Sequence, residues 1–154
     1  MDVEQIVREN ITKTIHMSLA TCADNKPWAC ELHFAYDDNL NLYFRSKENR
    51  RHSQEIALNS QVAGNIVKQH ALEDEVVGLY FEGIAEVLQN VDKDHPAYIA
   101  ISEKLGMDES IISDSNIEDG HKFYKITVNN WYAFGRFGAE NGQKLELDWN
   151  QQQF

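Results

Sequence analysis

The amino-acid sequence predicts a mainly β protein, a mostly antiparallel barrel with a few peripheral helices. Three observations carry this prediction. Bulky residues alternate with small or polar ones over 28–36, which is the two-residue period of a strand. Clusters of Asp, Asn and Pro mark turns between the apolar segments. The predicted order is helix, three strands, helix, two strands, helix and two strands, without internal repeats.

The first elements are an amphipathic helix and a hairpin. Apolar residues at three- and four-residue spacing predict a helix over 1–15. A strand from Met17, a turn at 24–27 and a second strand over 28–36 follow. The second strand has one face with Trp28, Cys30, Leu32, Phe34 and Tyr36 and another with Ala29, Glu31, His33 and Ala35.

The remaining helices are marked by their capping residues. Asn49 is the predicted N-cap of a short helix over 50–58. A second helix begins at Pro96 and is closed by Gly106. Gly83 indicates a bulge or a close backbone approach within its strand. Further strands are predicted over 40–44, 61–68, 76–88, 123–128 and 131–135, the last two separated by Asn129 and Asn130.

Size and charge restrict the possible functions. The chain has 154 residues and a formal net charge of −11. This length fits one domain over 1–154, with an acidic surface loop or short helix at 107–120 and a disordered tail at 150–154. A largely negative surface repels DNA and RNA, so no nucleic-acid partner is expected. The acidic N-terminus and the lack of a long apolar run predict a cytoplasmic protein without a membrane partner.

Cysteine and histidine patterns give no metal site. Cys22 and Cys30 flank the first hairpin turn, and we expect them to be reduced and unreactive. The six histidines have no metal-ligand spacing. Residues 114–125 have Asp119 and Lys125 where a calcium loop needs glycine and glutamate. The tryptophans are assigned to the core or to a dimer interface.

A cluster of positive charge interrupts this acidic chain. Four of the fourteen Lys and Arg residues fall within the seven positions 45–51, where a predicted strand leads into a helix. The helix N-terminus offers free backbone N–H groups, the arginines offer planar donor forks, and Ser46 adds a hydroxyl. Together these groups predict a site for one phosphate monoester. Solvated loop charges remain the alternative interpretation.

Several blocks of the chain resemble the pyridoxamine 5′-phosphate oxidase-like superfamily of FMN-binding split β-barrels. The resemblance runs from about residue 11 to residue 149. It implies an antiparallel Greek-key split barrel that forms a homodimer, with FMN at the interface between the subunits. The blocks that carry it are 19–21, 28–34, 37–38, 42–46, 49–52, 59–63, 81–83, 124–126 and 134–135.

The resemblance also implies the residues that hold the cofactor. Ser46 and Arg51 match family positions that bind the FMN phosphate, while Arg50 and His52 stand where serine and lysine are usual. The backbone of 31–33 is expected at the polar edge of the flavin ring, and Phe134 matches a tryptophan beside it. The full predicted set is Glu31, Leu32, His33, Ser46, Lys47, Arg50, Arg51, His52 and Phe134. Ala29 departs from the family, which often has an arginine there.

The leading functional hypothesis is a flavin-dependent oxidoreductase that acts on an unidentified small molecule. The chain lacks the Arg-Leu-x-Pro ending of true pyridoxamine-phosphate oxidases, so that activity is not predicted. No catalytic side chain is assigned, because the flavin itself would supply the redox chemistry. The alternatives are a non-catalytic binding or sensing protein for FMN, haem or a deazaflavin, and an acidic adaptor protein.

Overall fold

The computed structural model describes residues 2–152 and the side chains of 2–150. Four α-helices and eight strands make up the fold. The helices are α1 (Val3–Asn10), α2 (Arg51–Leu58), α3 (Pro96–Leu105) and α4 (Ser110–Ser115). The strands are β1 (His16–Ala23), β2 (Lys26–His33), β3 (Ala35–Tyr36), β4 (Leu42–Lys47), β5 (Gln61–Val67), β6 (Gly78–Val87), β7 (His121–Gly135) and β8 (Gln143–Asp148). Short 3-10 helices cover Ile11–Lys13 and Trp149–Gln152.

All eight strands belong to one antiparallel sheet. The strand order is β2-β1-β5-β6-β7-β4-β3, and β8 pairs with the outer half of β7. The sheet curls into a half-barrel, and α2 packs across β1. The prediction of a mainly β, antiparallel fold with peripheral helices is confirmed. Within the described residues, no helix is long and apolar enough to cross a membrane.

The hydrophobic core follows from the two-residue period of the central strands. On β6 and β7 the inward positions are buried and the alternate positions are exposed or half-buried. Large, fully buried side chains such as Trp131, Phe44 and Phe81 lie in this main core. A second, smaller apolar cluster joins α3 to β4 through residues such as Ile101 and Tyr43. Burial of one large apolar side chain in either cluster contributes about 1.5–3 kcal/mol to the free energy of unfolding.

The first hairpin shows where local sequence determines structure. Asp24 and Asn25 both have positive φ, 53° and 61°, which the two-residue turn between twisted antiparallel strands requires. The prediction that 28–36 is one strand is wrong, however. β2 ends at His33, and Phe34 turns into the core with only 2% of its surface exposed. The chain then starts β3, which pairs with β4 instead of β1.

Other element boundaries also differ from the prediction. Arg50, and not Asn49, is the N-cap of α2. The strands predicted over 123–128 and 131–135 form one continuous strand, because Asn129 is accommodated as a bulge opposite the Glu82–Gly83 step. The strand β8 was not predicted. Its burial pattern alternates, but only two of its six residues are apolar.

The peripheral elements include α3, α4 and the segment after β8. Pro96 begins α3, and Gly106 ends it with a φ of +67°, as expected. The segment 107–120 contains the short helix α4. In the tail predicted to be disordered, a 3-10 helix reaches Gln152, and residues 153 and 154 lie outside the described residues.

Gly83→Ala is expected to lower the free energy of unfolding by about 1–3 kcal/mol. A Cβ atom at Gly83 would lie 2.3 Å from the backbone oxygen of Thr127, so β6 and β7 would have to separate at the bulge. Gly78→Ala on the same strand is the matched control, since its nearest neighbours would be at 3.4 Å or more. Urea denaturation of both variants checks this. Equal unfolding midpoints for the two would contradict the assignment.

Candidate functional site

The candidate site lies where β4 ends and α2 begins. Arg50 precedes the helix in an extended conformation, and within residues 2–150 its side chain makes no capping hydrogen bond. The first backbone N–H groups of an α-helix have no partner within the helix, and they carry the positive end of its dipole. A short turn over 48–50 connects the two elements. The helix start can therefore accept an anion.

Ser46 and His52 fix the start of α2 against β4. The Ser46 Oγ and His52 Nε2 atoms are 2.8 Å apart, and both residues are buried. The ring of Phe44 lies 6.2 Å from the imidazole ring. The pKa of His52 is lowered mainly by burial and further by the nearby positive charge of Arg50. The negative charge of Glu55 acts against this and raises the pKa. Burial and the nearby charge of Arg50 therefore favour the neutral form of this hydrogen-bonded imidazole.

Arg51 is oriented by two contacts of different kinds. Its Nε donates to Glu55 Oε2 at 2.8 Å, and its guanidinium carbon lies 4.2 Å from the centroid of the Trp28 ring. The other carboxylate oxygen of Glu55 accepts a 2.7 Å hydrogen bond from Thr21. Both hydrogen bonds lower the pKa of the Glu55 carboxyl, and the one from Arg51 has the larger effect.

The outer edge of the Arg51 guanidinium is available to a ligand. Of the residues that the structure describes, none forms a hydrogen bond with Nη1 or Nη2, and 44% of the side chain is exposed. Packing on Trp28 and pairing with Glu55 hold the guanidinium plane in place. A guanidinium held in this way presents a fork that matches two oxygens of a phosphate or carboxylate.

The other cations of the 45–51 cluster are partly engaged. Arg45 Nη2 pairs with Asp114 Oδ2 at 2.7 Å, and Lys47 Nζ lies 3.6 Å from Asp119 Oδ2. Both carboxylates come from the 107–120 segment. The remaining positive charge of the cluster is therefore concentrated on Arg50 and on the outer edge of Arg51.

The predicted ring-edge residues lie on β2, the strand that also carries Trp28. Glu31 accepts a 2.7 Å hydrogen bond from Ser18 on β1. Leu32 packs against the main core, and the ring of His33 lies 4.7 Å from that of His16. Because Trp28 contacts Arg51, the structure places β2 beside the start of α2.

Phe134 lies on another part of the sheet. It is 44% exposed on β7, where its ring packs over Gly142. In the strand order, β1, β5 and β6 stand between β2 and β7. The predicted set therefore divides within one chain into a group around α2 and β2 and a separate aromatic residue.

Three residues of the site were not assigned to it by the sequence. Glu55 could have been found, because it is four residues after Arg51 on the same helix, which is the spacing of a helical ion pair. Thr21 and Trp28 could not be found in this way. They are cross-strand partners in the first hairpin, and only the packing of α2 on β1 and β2 brings them to Arg51.

A largely apolar cavity of about 630 Å³ adjoins the same helix. Glu48 and Ser53 line it, and Ser53 belongs to the first turn of α2. The Ser53 hydroxyl is buried and makes no hydrogen bond within the described part of the chain. The cavity walls are completed by Gln54, Ile56, Ala57, Leu58, Ala85, Glu86, Val87 and Tyr124. Its volume suits a small organic molecule.

We expect stability to fall as the pH drops below about 6.5, the ordinary pKa of histidine. The folded-state pKa of His52 is lowered, so the unfolded chain takes up the proton first. The stabilisation by neutral His52 is complete above about pH 6.5. It is lost as the pH falls toward the pKa of His52 in the folded state.

The urea midpoint, measured from about pH 7.5 to 5.5, should decline less in His52→Gln than in wild type. The carboxyls of Glu55 and Asp114, whose pKa values are also lowered, act only below about pH 4.5. Parallel declines in both proteins would contradict the role of His52.

Comparison with known proteins identifies the fold. No protein-family model matches the chain, and no curated protein matches it either. Among solved structures, a heme binding protein from Mycobacterium smegmatis has 16% identity and a TM-score of 0.78, covering 97% of this chain and 59% of that one. HutZ, the heme storage protein from Vibrio cholerae, has 18% identity and a TM-score of 0.66, covering 92% and 100%. An FAD-binding protein from Mesorhizobium loti has 18% identity and a TM-score of 0.61, covering 86% and 92%.

These similarities establish the split β-barrel fold, and the predicted fold class is confirmed. The chain spans about 59% of the length of the Mycobacterium smegmatis protein. At such low sequence identity the likeness concerns the fold alone.

Proposed function

We propose that this chain binds FMN and acts as a flavin-dependent oxidoreductase on a small molecule. One observation carries the proposal. The Arg51 guanidinium is fixed by Glu55 and Trp28, and no described residue bonds its two terminal nitrogens or caps the adjacent N-terminus of α2 with a side chain. This combination of a prepared donor fork and free backbone amides suits a terminal phosphate.

The charge distribution favours a compact phosphate over a polymer. The whole chain carries a formal net charge of −11, and the cations of 45–51 lie at the end of β4 and the start of α2. Nucleic-acid binding needs a longer basic track than this. A single phosphate monoester needs only Arg50, Arg51 and the first amides of α2. Support for a flavin as its carrier comes from the resemblance to FMN-binding split barrels and from the FAD-binding protein among the similar structures.

The residues of this chain would bind and orient the cofactor. Arg51 and Arg50 would neutralise the phosphate, and the Ser46–His52 hydrogen bond would keep the helix start in position for it. Backbone groups of 31–33 would meet the polar edge of the ring. When bound, FMN supplies the hydride or electron transfer itself. Direct contact of Ser46, Lys47 or His52 with the phosphate remains a prediction.

A homodimer would complete the site. The resemblance places Phe134 beside the same flavin ring as 31–33, yet three strands separate β7 from β2 within one chain. Phe134 and residues 31–33 can contact the same flavin ring if Phe134 is supplied by a second subunit. We therefore propose that FMN lies between two copies of the chain and that a monomeric variant loses the cofactor.

Flavin fluorescence during titration of the purified protein with FMN tests this proposal. Saturable quenching at one FMN per chain supports it, and adding NADPH or dithionite then shows whether the bound flavin can be reduced. Riboflavin, which lacks the phosphate, is the matched control ligand and should bind much more weakly. Equal affinity for riboflavin and FMN would rule out the phosphate site.

Haem is the second candidate ligand, in a binding or sensing protein without turnover. Its support comes from the heme-binding and heme storage proteins among the similar structures. Titration with haem and with FMN in parallel separates the two candidates. A stable haem absorption band together with no uptake of FMN would favour this alternative.

A further inference from the structure

A pair of histidines lies across the first hairpin, outside the helix-start site. His16 on β1 and His33 on β2 are directly opposite in the register of the two strands. Their ring centroids are 4.7 Å apart, and the planes are tilted by 38°. Both side chains are exposed, on the same side of the hairpin as Ser18 and Glu31.

The ladder geometry brings these two side chains unusually close. The backbone N–H of Phe34 donates to the carbonyl of Ile15 at 3.0 Å, so 15 and 34 form a hydrogen-bonded pair. Pairs alternate along an antiparallel ladder, which makes His16 and His33 a non-hydrogen-bonded pair. Side chains in such pairs are the closer ones, with Cα atoms only about 4.5 Å apart.

Two neighbouring imidazoles are a chelating group for a borderline-soft metal ion. Neutral imidazole nitrogens bind Zn²⁺, Ni²⁺ and Cu²⁺ at about 2.0–2.1 Å, so one ion can sit between two rings that can approach each other. The carboxylate of Glu31 is two residues from His33 on the same face of β2 and adds negative charge nearby. Over the described residues, no group of three or more His, Cys, Asp and Glu side chains is placed to hold a metal. The histidine pair would therefore act as a two-ligand site with open coordination positions.

We propose that His16 and His33 together bind one divalent transition-metal ion with a preference for nitrogen ligands, such as Ni²⁺, Cu²⁺ or Zn²⁺. The ion would be held by the imidazole side chains of His16 and His33, whereas the proposed flavin site would use backbone groups of 31–33, so the metal site is tested without FMN. A bound ion would link β1 to β2 at the end of the hairpin away from its turn.

Isothermal titration of the untagged chain with Ni²⁺, without FMN, tests the proposal. Ni²⁺ avoids the oxidation of Cys22 and Cys30 that Cu²⁺ would cause. One ion per chain is expected, and His16→Ala and His33→Ala should each reduce the affinity at least about tenfold by leaving a single ligand. His70→Ala, which removes an exposed histidine of the loop before β6, is the matched control and should bind as wild type does.

A stability measurement gives a second readout. Because a chelated ion stabilises the folded hairpin, Ni²⁺ should raise the thermal midpoint of wild type and of His70→Ala but not of His33→Ala. Circular dichroism without metal checks that each variant is folded. Wild-type Ni²⁺ affinity in both His16→Ala and His33→Ala would overturn the proposal, as would equal loss in His70→Ala.

Discussion

Arg51→Ala is expected to bind FMN about ten- to a hundred-fold more weakly than the wild-type chain. A hydrogen bond to a charged group contributes about 1.5–3 kcal/mol, and 1.4 kcal/mol corresponds to a factor of ten in the dissociation constant. In this site the guanidinium is already oriented by Glu55 and Trp28, so little ordering opposes binding. Fluorescence titration with FMN measures the change.

Two further variants make this experiment specific. Arg51→Lys keeps the charge but loses the planar fork, and we expect its affinity to lie between those of wild type and alanine. Lys93→Ala removes an exposed cation that pairs loosely with Glu109, at 3.9 Å, and should leave binding unchanged.

Loss of folding must be separated from loss of the phosphate contact. Arg51→Ala also removes a partner of the buried Glu55 carboxylate, so its urea midpoint is measured alongside. Unchanged FMN affinity in a folded Arg51→Ala protein would show that the phosphate is not bound at this helix start. If the wild-type chain and the variant then also bound haem equally well, the FMN proposal would be wrong and only the predicted fold would stand.

Trp131→Ala should lower the free energy of unfolding by about 3 kcal/mol, the lower end of the range for removing a large buried aromatic side chain. Trp131 has no exposed surface and packs against Phe81 with ring centroids 5.7 Å apart. Its Nε1 is buried without a hydrogen-bond partner in the described residues, and removing that unsatisfied donor offsets part of the cost.

The other tryptophan substitutions provide the comparison. Trp131→Phe removes the same donor but keeps most of the volume, so we expect a loss below about 1.5 kcal/mol. Trp28→Ala removes a side chain that is 41% exposed and should cost about 1 kcal/mol, mainly through its contact with Arg51. Urea denaturation of the three variants gives the order. A Trp28→Ala protein less stable than Trp131→Ala would contradict the described core.

The sequence by itself determined the elements that depend on neighbouring residues. The turn at 24–27 follows from Asp24 and Asn25, two residue types that tolerate positive φ. The close backbone approach at Gly83 follows from its missing Cβ atom, and the α3 boundaries follow from the fixed φ of Pro96 and the positive φ that Gly106 tolerates. The mainly β class follows from the strand period, because alternation reflects one buried face.

Only the tertiary structure decided which distant groups meet. Periodicity shows that a residue is buried but not against what, so the exchange of strand partners after Phe34 and the continuity of β7 could not be predicted. The same holds for the cationic cluster, which the sequence presents as one group. Folding pairs Arg45 with Asp114, 69 positions away, whereas the outer edge of Arg51 has no hydrogen-bond partner in the part of the chain that the structure describes. The charge available to a ligand depends on such long-range pairing, and that pairing exists only once the sheet has closed around its core.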